Sequence, residues 1–353
     1  MYPTARPAAA SQLQSLQVLR GVAALSVVYF HIGKGATFGS FGVDLFFVLS
    51  GFVIAMASEK NVGAIQFAIN RITRVVPLYW LMTTLLLMVL ILRPDLFNST
   101  TASIPNYFKS IFFIPYFNDN GQLQPLLGVG WTLNYEMIFY AMAAVSLSIS
   151  PTRFYCVTCA LVVSLFGMGY LLPDGTPYAD FLRSNLLFEF MLGMAAFKLK
   201  DSTYLRKIPL WIIAIIILLL YAIMSLIEIT GFVNRFIEFG IPSFLIVLLA
   251  IQLEPLLSRL NSVFFRMLIH VGDASYAIYI SHTIAVELIK RFLPRITNGL
   301  TIESPIGIAI ALSFSIVLGG FIYIFLDKPS VSLAKKAFSG LSKTMVKSRK
   351  EIG

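Results

Sequence analysis

The stretch Leu19–His31, "LRGVAALSVVYFH", sets an arginine and a histidine at the two ends of an apolar run. Ionisable side chains are expensive inside a membrane and normally face a cavity or a partner there. Eleven residues at 100° apiece return Arg20 and His31 to within about 20° of one helix face, with a rise of about 16 Å between them. The pair therefore reads as two functional groups on one groove of a membrane span, with Arg20 near one end and His31 about half a bilayer away. The plainer alternative has Arg20 snorkelling to the interface and His31 hydrogen-bonded near the far end of the helix.

The rest of the chain has the same character. Of its 353 residues 58% are hydrophobic and only 12% charged, with a mean hydropathy of +0.82. Soluble domains carry about a quarter charged residues, so composition alone indicates a membrane protein. At about 20 apolar residues per crossing, ten spans are expected: 13–33, 40–58, 75–92, 131–149, 154–172, 181–197, 209–229, 237–253, 267–289 and 303–326. This predicts an all-α, polytopic membrane domain over residues 13–330, preceded by a short tail (1–12) that lacks the pattern of a cleavable signal peptide. A basic tail (331–353) follows it. "YFKSIFFIPYF" (Tyr107–Phe117) is too short and interrupted to span, and reads as an interfacial or re-entrant piece.

With the N-terminus inside, 18 of the 27 Lys and Arg fall on the cytoplasmic side and 8 on the other, which predicts cytoplasmic termini. The net charge of +10 is then largely a topology signal. Lys335 to Lys350 form a juxtamembrane segment suited to anionic lipid. Nucleic-acid binding would need a soluble domain, and none is expected here. Cys156 and Cys159 sit in an apolar block without polar partners and read as ordinary core residues, and no metal site is expected.

Further polar groups in the spans are candidates on the same reasoning. Asp44, in "FGSFGVDLFFVLSGFVIA", would lie at the depth of His31 in a helical hairpin, where a carboxylate fixes the imidazole tautomer and raises its basicity. Its alternative role is a helix cap. Arg71 and Arg74 are an i, i+3 pair suited to phosphate, with Pro77 in the first turn of the next span. Glu136 shares a face with Tyr140 and needs a cation or donor, for which Arg183, Arg20 or a substrate hydroxyl qualify. Ser275, Tyr279 and His282 form one stripe of the ninth span, a polar cavity wall. Glu189 is another buried acid.

Together these blocks resemble the acyltransferase-3 family of integral membrane acyltransferases. The match is carried by Arg20 and His31 with ten residues between them, "FGVDLFFVLSGF", Arg71 and Arg74 followed by Pro77, "GWTLNYEMIFY", "EFMLGM" and "SYAIYISH", over about residues 15–330. The opening "LQSLQVLRGVAAL" is most similar to the exopolysaccharide branch, with O-antigen-modifying relatives close by. Asp327-Lys328-Pro329 stands where many members carry Glu-x-Pro, and the hydrolase-like domain fused to some members is not expected.

The resemblance implies a multi-pass protein of the bacterial inner membrane that moves an acyl group, usually acetyl, from acyl-CoA to a hydroxyl of a polysaccharide or lipid-linked glycan. Arg20, Arg71 and Arg74 would hold the phosphates of acetyl-CoA. His31 would be the general base or a covalent acyl carrier, Asp44 its orienting acid, and Tyr279 or Ser275 the oxyanion donor. A glycolipid transporter or a non-catalytic assembly subunit is the competing class. Paired broken helices would mark a transporter, and none is legible in the sequence.

Overall fold

The computed structural model describes residues 13–33, 38–60, 63–96 and 101–338. The expected N-terminal tail and the basic segment beyond Phe338 lie outside them. The described elements are helices: α1 (Gln14–His31), α2 (Gly42–Ser58), α3 (Ala64–Leu92), α4 (Ile104–Ile111), α5 (Trp131–Ile149), α6 (Phe154–Gly169), α7 (Pro177–Leu182), α8 (Leu186–Leu199), α9 (Leu210–Thr230), α10 (Ile241–Ala250), α11 (Glu254–Leu257), α12 (Val263–Asp273), α13 (Ser275–Ile296) and α14 (Pro305–Ile322). Helix continues from α14 as far as Phe338.

Five of these helical stretches are long and apolar enough to cross a bilayer, and the bent α12–α13 pair makes a sixth. The chain is thus a multi-pass, all-α membrane protein. α9 leaves Leu218, Leu219, Ile223 and Leu226 facing outward, as a lipid-facing helix does. In α2 and α8 the central residues are buried instead, so these helices are enclosed by others and need not be uniformly apolar.

Two close crossings build this interior. A Cβ on Gly51 would sit 2.0 Å from the carbonyl oxygen of Phe190, and one on Gly193 2.0 Å from that of Val48. Glycine at both positions lets the backbones of α2 and α8 touch, the usual device where helices pack without a hydrophobic drive. Gly272 does the same between α12 and α1, against the carbonyl of Gln17. The start of α1 is capped from a distance. Glu254 accepts from the backbone N–H of Gln14 and Ser15, both at 2.8 Å, placing negative charge at a helix N-terminus.

Three expectations change. α3 begins at Ala64 rather than near residue 75, so Arg71 and Arg74 lie within the helix and Pro77 in its interior. The proline there forfeits one backbone hydrogen bond, which the surrounding packing tolerates. The ninth span is two helices that meet at 77° around Ala274, next to the close approach of Gly272 to α1. Cys156 is exposed on the flank of α6 and Cys159 half-buried, so this pair is not core, though both thiols are free. The Tyr107–Phe117 segment forms the short α4, tied to α3 where Tyr79 and Trp80 donate to the carbonyls of Ser110 and Ile111.

Candidate active site

A cavity of about 460 Å³ opens among α1, α2, α3, α5 and α13, a size typical of small-molecule sites. Its lining carries four cations: Arg20, Arg71, Arg74 and Lys335, the last from the helical continuation of α14. Arg74 donates to Asp327 at 2.7 Å and lies over the Tyr276 ring, 5.4 Å from its centroid. Asp327 is buried, 1% exposed. Tyr276 in turn donates to the carbonyl of Val75 at 2.7 Å, so this cation is held on two sides. Arg71 is different: its Nε is buried with no hydrogen-bond partner, and its guanidinium lies over Phe67.

Glu136 also lines the cavity, accepting from Ser50 Oγ at 3.2 Å and from the Tyr140 hydroxyl. Arg20 acts on it electrostatically across the same space. Arg183 is excluded as its partner, since it binds Asp174 and the carbonyls of Gly169 and Leu172. One carboxylate against four cations, one of them paired with Asp327, leaves the pocket positive. Forked guanidinium donors with spare N–H groups suit phosphate oxygens.

Arg20 and His31 do not share one continuous groove. His31 lies outside the cavity lining, exposed at the far end of α1, with its Nδ1 2.9 Å from the Val27 carbonyl. Its ring meets His282, centroid to centroid 4.7 Å. His282 is fully buried and also meets Tyr279 at 5.7 Å. Tyr279 lines the cavity, held by hydrogen bonds to Thr132 Oγ1 (2.9 Å) and to the Val129 carbonyl (3.1 Å), with Phe46 edge-on against it. Of the expected stripe, then, Tyr279 faces the cavity and His282 stands behind it. Ser275 is buried outside the lining, with its hydroxyl unpartnered.

Asp44 does not meet His31, nor does it cap α2, whose cap position is Phe41. It is fully buried, bound by Arg235 through Nε at 3.0 Å and Nη2 at 2.6 Å. Glu189 lies beside it, and the same guanidinium acts on both carboxyls. Arg235 also donates to the Ser40 carbonyl, while Glu228 accepts from the backbone of Gly39 and Ser40. The cluster fastens α2 to α8 and to the turn before α10.

Four neighbours of the expected site residues escape sequence reading: Arg235, Tyr276, Asp327 and Lys335. Asp327 was legible only as the shortened acid of Asp327-Lys328-Pro329, and Lys335 falls in a segment that reads as lipid-facing. Among the described residues no group of three His, Cys, Asp or Glu could hold a metal.

These features define a polytopic membrane protein with a cationic cavity among its helices and a histidine pair beyond it. Residues 13–324 match the family model for the acyltransferase-3 acyltransferase domain, and the chain belongs to that family. It is an acyltransferase. It is similar to the exopolysaccharide production protein ExoZ of Rhizobium meliloti, with 30% identity over 319 residues covering 88% of this chain and 96% of that one. The putative peptidoglycan O-acetyltransferase YrhL of Bacillus subtilis is 31% identical over 52% of this chain and 32% of its own. The O-acetyltransferase OatA of Staphylococcus aureus is 25% identical over 94% of this chain and 59% of its own. No solved structure matches the chain.

Proposed function

We propose that this protein is an O-acetyltransferase of the bacterial inner membrane, taking acetyl from cytoplasmic acetyl-CoA to a hydroxyl of a cell-surface polysaccharide or its lipid-linked precursor. The observation that carries this reading is the cavity itself. Arg20, Arg71, Arg74 and Lys335 converge on one space, and Arg71 keeps a buried, unpartnered donor there. On this reading the four cations hold the donor's phosphates at the cytoplasmic end, both termini are cytoplasmic, ten segments cross the bilayer, and the membrane domain spans residues 13–330 with a basic tail on the lipid surface.

The thioester end of the donor then points along α1 toward Tyr279 and His31. His31 accepts the hydroxyl proton as the acceptor oxygen bonds to the thioester carbonyl carbon and the thiolate departs. General-base assistance of this kind is typically worth about 10²–10⁴ in rate. Tyr279, the polar group between cavity and histidines, would donate to the developing oxyanion by giving up its hydrogen bond to the Val129 carbonyl. Asp44 has no part in the proton transfer, since Arg235 occupies it.

The test uses purified protein in lipid discs with labelled acetyl-CoA and candidate glycans. Acetyl-glycan and free CoA form with the wild type and not with His31→Ala, provided the variant inserts equally well. Wild-type product from His31→Ala would overturn the assignment of the base.

A further inference from the structure

His31 and His282 are the two imidazoles in ring contact, and each spends one nitrogen in the same way. His31 Nδ1 lies 2.9 Å from the Val27 carbonyl oxygen, and His282 Nδ1 2.5 Å from that of Tyr279. A carbonyl oxygen only accepts, so both Nδ1 atoms carry hydrogen and both Nε2 atoms of the neutral rings carry lone pairs. For His282 that Nε2 is buried with no partner, and a buried acceptor left empty is costly. Two neutral imidazoles with two free lone pairs have room for one proton. A second would put two like charges at a ring separation of 4.7 Å.

Val28, Ile278 and Ala311 belong to an apolar cluster formed by α1, α13 and α14. Tyr279 of α13 meets the His282 ring; of the other titratable groups on these elements, Tyr29 of α1 packs on the apolar cluster and Glu303, in the loop before α14, has its Oε1 3.2 Å from where a Cβ on Gly33 would be. No carboxylate is bonded to either imidazole among the described residues, and no third metal-binding side chain joins them. The tautomer-fixing task expected of Asp44 is done by the two backbone carbonyls instead.

We propose that His282 is the proton partner of His31, a positioning residue that accepts a hydrogen bond from His31 Nε2–H once the exposed ring has taken the hydroxyl proton. This rests on the reading of His31 as the base. In the step, the acceptor O–H proton passes to His31 Nε2 while the oxygen forms its bond to the acyl carbon. The C–S bond breaks with its electron pair on sulfur. The proton, held between the two Nε2 atoms, then passes to the thiolate to give the free thiol. The pair holds the one proton that a turnover displaces until the thiolate takes it up.

The experiment measures kcat, KM for acetyl-CoA and the pH–rate profile in lipid discs for wild type, His282→Phe, His282→Gln and His31→Ala, normalised to inserted protein. His282→Phe is expected to lower kcat about 100-fold with KM unchanged. It also moves the acid limb to lower pH, because the protonated form of His31 loses its acceptor and only the neutral ring is the base. His282→Gln, whose amide oxygen still accepts, recovers about a tenth of the rate and part of the limb. A wild-type kcat and unmoved limb in His282→Phe, with His31→Ala inactive, overturns this proposal and leaves the base in place. Full activity in His31→Ala overturns both. A change in KM alone makes His282 a substrate contact and overturns the relay. If His282→Phe fails to insert, wild-type kcat in His282→Gln overturns it as well.

Discussion

Arg71 and Arg74 are one helical turn apart, yet the structure gives them different surroundings, and their alanine variants should behave differently. Arg71 has a buried Nε without a protein partner and faces the cavity. A hydrogen bond to a charged group contributes about 1.5–3 kcal/mol, so Arg71→Ala is expected to raise KM for acetyl-CoA about 10–150-fold with little change in folded protein. Arg74 is bound to Asp327, whose side chain is 1% exposed while Arg74 keeps 32% of its surface. Removing one member of a buried pair costs about 3–5 kcal/mol because the survivor is an uncompensated charge. The partial exposure of Arg74 places the expected loss near the lower figure. Arg74→Ala should therefore reduce stability by about 3 kcal/mol as well as weakening donor binding.

A second substitution makes the distinction measurable. Asp327→Asn in the Arg74→Ala background removes the stranded carboxylate, so it should restore most of the stability and none of the donor affinity. Chemical unfolding in detergent gives the first quantity and labelled acetyl-CoA kinetics the second, in a double-mutant cycle. Equal stability losses from Arg71→Ala and Arg74→Ala, or no recovery on adding Asp327→Asn, would refute the assignment.

The remaining expectations are more local. Asp44→Asn should retain transfer within a few-fold per folded molecule, measured by labelled acetylation, whereas a 100-fold loss in well-inserted protein would return Asp44 to the chemistry. Arg235→Ala strands the Asp44 and Glu189 carboxyls, so it should abolish stable accumulation, and Asp44→Asn should partly restore it, read by size-exclusion in detergent. Gly193→Leu should prevent folding, since even its Cβ would fall 2.0 Å from the Val48 carbonyl oxygen. Lys335→Ala should raise KM for acetyl-CoA by less than Arg71→Ala does, because an ammonium is a point charge without the guanidinium fork, and high salt should narrow the difference.

The sequence by itself determined what depends on local period and composition. Apolar blocks required membrane helices, and the 100° step set Arg20 and His31 on one face of a helix, though not on one continuous groove. The order of short polar motifs disclosed the family. Tertiary structure decided which buried charges meet. Arg235 is 191 residues from Asp44, and Asp327 is 253 from Arg74. Helical periodicity fixes a side chain's direction on its own helix but not which helix lies opposite. That is why Asp44 looked like the natural companion of His31, yet it is Arg235, just before the helical segment leading into α10, that binds it. The bend at Ala274 brings α13 alongside α1, and so it is His282, a residue of that stripe, that stands against His31.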